Sequence, residues 1–179
     1  ITYTFTSWTS DSMLLMPPAT ASDLSPLYRI SVSLNLNPFS PLSCVMTVQG
    51  GGSPSAPVIG TVECLKQKQK HGTLMMEDSS SRLKNVLWNT SSPDQWRWSC
   101  NDINLRWDCR AILEDGSPMC ICYGCDAASD SQLATFIPPP SDASPPLPAA
   151  ILTVFPDGHQ HFDHIVMSAL IIERKRTLS

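Results

Sequence analysis

The last stretch of the chain limits the possible fold more than any other. From Phe162 to Arg176, the residues Ile165, Val166, Met167, Ala169, Leu170, Ile171 and Ile172 fall at every angle of a helical wheel, with Ser168 the one small polar interruption. A helix that is apolar all round has to be enclosed by protein or lipid. This one is shorter than the roughly 20 residues needed to cross a bilayer, so protein is the expected enclosure. Asp163 stands where an N-cap belongs, and Arg174, Lys175 and Arg176 stand where the helix dipole favours cations. The competing reading is a doubly buried strand, because four of the residues are β-branched. The cap and the charge asymmetry favour the helix.

What would enclose it is written in a different period. Ile1, Tyr3 and Phe5 alternate with threonines, and Ile30, Val32, Leu34 and Leu36 alternate with Ser31, Ser33 and Asn35. Trp96, Trp98 and Cys100 alternate with Arg97 and Ser99, and Leu105, Trp107, Cys109, Ala111 and Leu113 with Arg106, Asp108 and Arg110. Each pattern puts apolar side chains on one face of a strand. Shorter candidate strands are 45–48, 58–64, 74–76, 86–88, 119–123, 133–137 and 151–155. Gly50-Gly51-Gly52-Ser53-Pro54 reads as a loop, Asp115-Gly116 as a hairpin and Pro156-Asp157-Gly158 as a tight turn. Between Pro138 and Pro148 six of eleven residues are proline, so that stretch is expected to be an exposed loop insertion.

At 179 residues the chain is expected to be a single domain, residues 1–179, with room for a core that needs no metal or disulfide staple. Charged residues are 16 %, against roughly 25 % in an average soluble domain, and there are 16 prolines. That balance suits an all-β protein with polar loops rather than a helical bundle. The net charge of −4 argues against a nucleic-acid-binding face. Seven cysteines cannot all pair, and the start Ile1-Thr2-Tyr3-Thr4-Phe5-Thr6 does not resemble a signal peptide. The expectation is a reduced, cytoplasmic protein. The acceptor pattern Asn89-Thr90-Ser91 would matter only on a secretory route.

A helix without a polar face, closing a chain of many strands, resembles the tubby-like group, which includes phospholipid scramblases and the plant LURP-one-related proteins. The tail from His161 to Arg176 looks like the ending of a fungal family of uncharacterised domains, with an Asp, an Ile-Val pair, a short apolar run and Glu-Arg-Lys-Arg. Pro26-Leu27-Tyr28-Arg29-Ile30, Val58-Ile59-Gly60-Thr61-Val62-Glu63 and Gln95-Trp96-Arg97-Trp98 resemble three earlier strands of that family, in the same order. The family's Asp-Gly before the tryptophan strand is replaced by Pro93-Asp94, and the proline-rich insertion is private to this chain. The resemblance implies a closed or nearly closed antiparallel β-barrel of about 10–12 strands around a buried C-terminal helix. It implies no activity.

Several motifs carry chemistry that has to be weighed. His159-Gln160-His161-Phe162-Asp163-His164 has the order of a metal-ligand string, but too little chain follows to supply the further ligands of a dinuclear hydrolase. Cys120, Cys122 and Cys125 contain one CxxC where a structural zinc site uses two, so these cysteines read as small apolar fillers. No metal and no cofactor is expected, with His159, His161, His164, Cys120, Cys122 and Cys125 the weak candidates. Lys66, Lys68 and Lys70 could meet an anionic membrane surface or form a solvated edge. Trp96, Trp98 and Trp107 are either core or the lining of a ligand pocket.

The functional expectation is an intracellular binding protein for a lipid or small hydrophobic ligand, with Trp96, Trp98 and Trp107 at the ligand and the lysines at the membrane. One alternative is a small-molecule enzyme of isomerase or cyclase type, with Asp108, Arg106 and His161 as weak catalytic candidates. The other is an interaction scaffold that uses the Pro138–Pro148 loop. No Walker loop, dinucleotide fingerprint or nucleophile elbow is present.

Overall fold

The computed structural model describes residues 1–179 except 36–42, 66–71, 91, 126–130, 141–142, 145–146 and 178–179; for Leu65 only the backbone is described. The protein is mostly β: the described residues form thirteen strands in antiparallel pairing and a C-terminal helix. It divides into two compact units, residues 6–86 and residues 1–5 with 87–179.

The first unit is a meander. Strands β2 (Ser12–Met16), β3 (Tyr28–Asn35), β4 (Ser43–Gly50), β5 (Val58–Leu65), β6 (Gly72–Met76) and β7 (Ser79–Arg82) pair each with the next, and a single helical turn, α1 (Leu83–Val86), follows. Its interior holds Leu15, Ile30, Met46, Val48, Val62, Leu74, Met76 and Leu83. The alternation at residues 30–34 is honoured at its start, since Tyr28 and Ile30 are buried, and lost at Leu34, which is exposed. Two strands had no alternating signature. Ser12-Met13-Leu14-Leu15-Met16 is apolar almost throughout, and Ser79-Ser80-Ser81-Arg82 has no apolar residue to betray it.

The second unit carries the tail. Strands β1 (Thr2–Phe5), β13 (Ile151–Val154), β12 (Gln132–Ile137), β11 (Pro118–Gly124), β10 (Ile103–Ile112), β9 (Gln95–Cys100) and β8 (Leu87–Asn89) lie in that order. Helix α2 (Phe162–Thr177) follows a 3-10 turn at Pro156–His161. The β9–β10 hairpin turns through two residues, Asn101 and Asp102, both in the left-handed region at φ 48° and 64°. That is the mirror-image turn whose twist matches paired strands, and Asn and Asp are among the few non-glycine residues that adopt it readily. At Asp115-Gly116 the expected hairpin forms between β10 and β11, with Gly116 at φ 84°. Among the described residues of the Pro138–Pro148 stretch there is no strand.

Two expectations need correction. Among the described residues hydrogen bonds do not close the strands into a barrel; within neither unit does the last strand return to pair with the first. The outlying strands β7 and β8 are only four and three residues long, so each presents few free ladder groups, one of the ordinary ways to blunt an edge. Asp163 is not an N-cap either. The chain enters α2 through the 3-10 turn with Phe162 already helical, so Asp163 lies in the first turn, where its charge still favours the dipole. The rest of the tail follows the wheel: every residue from His164 to Ile172 is buried. Among the described residues no helix is long and apolar enough to cross a membrane.

Candidate functional site

The tryptophan strands and α2 meet along one face of the second unit. Register puts Trp107 opposite Trp96, and Leu105 opposite Trp98, so the apolar set of β9 and β10 shares that face. Trp98 and Trp107 are 1 % and 0 % exposed, and each spends its indole N–H on the helix. Trp98 Nε1 donates to His164 Nδ1 at 3.2 Å, and Trp107 Nε1 donates to Ser168 Oγ at 3.0 Å. Ser168 in turn donates to the carbonyl of His164 at 2.6 Å. The lone polar interruption of the apolar helix is therefore the acceptor for a buried tryptophan, and it sits one helical turn after His164, which serves the other. His164 Nδ1 accepts, so that nitrogen carries no proton.

Trp96 differs from both. It is 7 % exposed, yet its Nε1 is buried and finds no acceptor among the described residues. Its surroundings come from the cationic end of α2. The Lys175 ammonium lies 6.0 Å over the Trp96 ring. Arg176 sets its Nε 3.4 Å from Asp94 Oδ1 and its Nη1 3.8 Å from Cys120 Sγ. Asp94 precedes β9 by one residue, and its carbonyl accepts from the backbone N–H of Cys109. Cys109 and Cys120 are buried side by side, and the hydrogen bond between their thiols, together with burial, drives the Cys109 pKa far upward and keeps it protonated. Burial likewise pushes the Cys122 thiol up.

Glu173 lies in the same turn of α2. Burial raises its carboxyl above the ordinary range, and Arg176 pulls it back in part. An acid with a raised folded pKa holds its proton more tightly when folded, so its ionisation costs stability once the pH exceeds the unfolded value. Glu173→Gln is therefore expected to raise the thermal midpoint by about 2–4 °C at pH 7. The gain should disappear below the ordinary glutamate pKa of about 4.3. Thermal scans at pH 7 and pH 3.5 check it; an equal shift at both values contradicts it.

The remaining sequence candidates are dispersed. Asp108 is paired with Arg110 at 2.6 Å, and that bond holds its carboxyl down at about 2. Arg106 lies 4.4 Å over the Tyr123 ring. His161 is half-buried at the end of the 3-10 turn. His159 stacks on Phe162 at 6.0 Å and meets Tyr3 edge-on, while His164 faces Trp98. Cys125 accepts a hydrogen bond from Arg97 Nη1 at 2.7 Å, whereas Cys120 faces Arg176. Among the described residues no three His, Cys, Asp or Glu side chains gather in a way that could hold a metal ion. None of the seven cysteines is in a disulfide. Lys66, Lys68 and Lys70 lie outside the described residues.

Sequence reading missed the part played by Lys175 and Arg176, taken there only as dipole cations. The signal was present in one respect only, since three consecutive basic residues at a helix end exceed what the dipole alone requires. No family model, no curated protein and no solved structure matches the chain.

Proposed function

We propose that the protein is a tubby-like, non-catalytic binding domain for a small amphipathic ligand of lipid type, whose polar end is received by Trp96, Lys175 and Arg176. The observation that carries this reading is the Trp96 indole N–H, buried without an acceptor among the described residues. A buried donor left unpaired costs about 1–3 kcal/mol, and a ligand oxygen placed there would recover it. The two neighbouring tryptophans set the contrast, because both are satisfied by α2. The cations beside Trp96 favour a ligand whose acceptor is anionic, such as a carboxylate or a phosphate ester. Support for the fold half of the proposal is the antiparallel pairing throughout and the unbroken burial of the terminal helix from His164 to Ile172. In its membrane form the protein meets an anionic surface through Lys66, Lys68 and Lys70.

Titration calorimetry with decanoate and with a lysophosphatidate tests the reading. Trp96→Phe keeps the ring and removes the N–H, and is expected to weaken binding by about tenfold. Without ligand, the same variant should unfold no earlier than wild type, since it removes an unpaired donor. Trp98→Phe, which orphans His164, should unfold earlier. Equal affinity of wild type and Trp96→Phe, or no binding of either probe by wild type, overturns the proposal. Vesicles with and without anionic lipid separate the membrane form from the soluble one.

A further inference from the structure

Two of the cysteines face each other directly across a strand pair of the first unit. Register places Cys44 of β4 opposite Cys64 of β5, the next pair on the same face after the buried Met46 and Val62. Directly opposed residues of antiparallel strands hold their Cα atoms about 4.5 or 5.5 Å apart. A disulfide spans Cα atoms about 4.4–6.8 Å apart, so these two backbones need not move to be bridged. The pair sits where the interior of the unit meets solvent. Cys44 is 7 % exposed, Cys64 is half-buried, and Leu34, opposite Cys44 on β3, is 51 % exposed.

The remaining cysteines lack this combination of register and access. Cys109 and Cys120 also lie side by side, but both are 1 % exposed, and an oxidant dissolved in water meets them only when the unit opens. Cys122 and Cys125 form the CxxC, yet their odd spacing along extended chain sends them to opposite faces. Cys122 is on the buried face, and Cys125 is on the other, where Arg97 meets it. Cys100 stands opposite Ile103 at the end of its hairpin.

We propose that Cys44 and Cys64 are an oxidative modification site, a dithiol that hydrogen peroxide converts to a disulfide clasping β4 to β5. The half-buried Cys64 is the point of entry. Its thiolate attacks the peroxide O–O bond and takes one oxygen to become a sulfenic acid, while the other oxygen leaves as hydroxide. The sulfur of Cys44 then attacks that of Cys64. The S–S bond forms, the S–O bond breaks, and the departing hydroxide takes up the Cys44 proton and leaves as water. In sum the two thiols give up two electrons and two protons, and one peroxide is reduced to two waters. The bridge closes the loop of residues 44–64 and so constrains the unfolded chain. A thiol reductant reverses it by exchange. Both cysteines belong to the first unit, so the site is independent of Trp96 and of α2.

Treating the full chain with hydrogen peroxide tests the proposal, with the remaining thiols then alkylated and the peptides mapped without reduction. The principal product expected is a chain with one disulfide, between Cys44 and Cys64, which dithiothreitol removes. Oxidation should raise the thermal midpoint of the wild type by about 10 °C and leave that of Cys44→Ala unchanged. In Cys44→Ala, dimedone should trap a sulfenic acid at Cys64, whereas Cys64→Ala should yield none at Cys44. Thermal unfolding of the reduced variants confirms that they fold, and Cys64→Ser, at the more exposed position, serves if either alanine variant does not. A treated wild type without the Cys44–Cys64 link, or one whose principal link joins Cys109 to Cys120, overturns the site. A link that forms and leaves the midpoint unmoved overturns the clasp, and dimedone found on Cys44 in Cys64→Ala overturns the order of the two steps.

Discussion

Gly158→Ala is expected to lower stability by about 3 kcal/mol or more, enough to move the thermal midpoint by about 10 °C or to prevent folding outright. A Cβ at that position would be driven into the carbonyl oxygen of Leu133 and would sit 2.9 Å from Val154 Cγ1. Neither neighbour is a flexible tip that can turn aside. The Leu133 carbonyl accepts the backbone N–H of Phe155, and Leu133 and Val154 are both buried strand residues of β12 and β13. The 3-10 turn can move away only by loosening the ladder that delivers the chain to α2. Gly116→Ala is the control. Gly116 has φ 84° and open space where its Cβ would go, so the substitution should cost only about 1 kcal/mol of backbone strain. Denaturant unfolding of the two variants checks the ranking, and a loss at position 116 equal to or larger than that at 158 contradicts it.

Nothing in the sequence announces that ranking, and it marks where sequence reasoning stops. Asp115-Gly116 and Pro156-Asp157-Gly158 look alike as turn chemistry. The first needs glycine for its backbone angle, a local property that the dipeptide announces. The second needs glycine because a strand distant in the chain passes too close for a side chain, and no local pattern encodes a close approach. The same division runs through the candidate site. Alternation at 96–100 and 105–109 correctly put the tryptophans and cysteines on one face, because a period of two is a property of the strand itself. Past Cys109 the alternation keeps its phase but loses depth: Arg110 and Ile112 are exposed, while Ala111 and Leu113 are only half-buried beside a register irregularity between Asp108 and Ala111, and such irregularities leave no mark in composition. Nor could alternation say which tryptophan N–H would be met by α2, since Ser168 and His164 find Trp107 and Trp98 only once the helix has a fixed position along the strands. The lone serine in an apolar run was the nearest thing to a sequence signal for it.

A chain ending at Phe162 is expected to lose the cooperative unfolding of the second unit entirely. Deletion removes Ile165, Val166, Met167, Leu170, Ile171 and Ile172, each buried to 7 % exposure or less. At about 1.5–3 kcal/mol per buried side chain these six contribute roughly 9–18 kcal/mol, as much as the whole stability of an ordinary domain, about 5–15 kcal/mol. The loss is compounded by polarity. Without His164 and Ser168, the indole donors of Trp98 and Trp107 face either water or nothing, and the tryptophan face of β9 and β10 becomes an exposed apolar patch. Ile171→Asp poses the same question more gently, since it leaves the chain complete and buries one unpaired carboxylate where Ile171 is 1 % exposed. Near-ultraviolet circular dichroism, dominated by the tryptophans, should collapse in the truncated chain, and a dye that binds exposed apolar surface should light up. If the shortened protein instead keeps its tryptophan signal and melts at the wild-type temperature, the helix is an attachment to the strands rather than their core, and Trp96 then has no fixed cationic neighbours with which to receive a ligand.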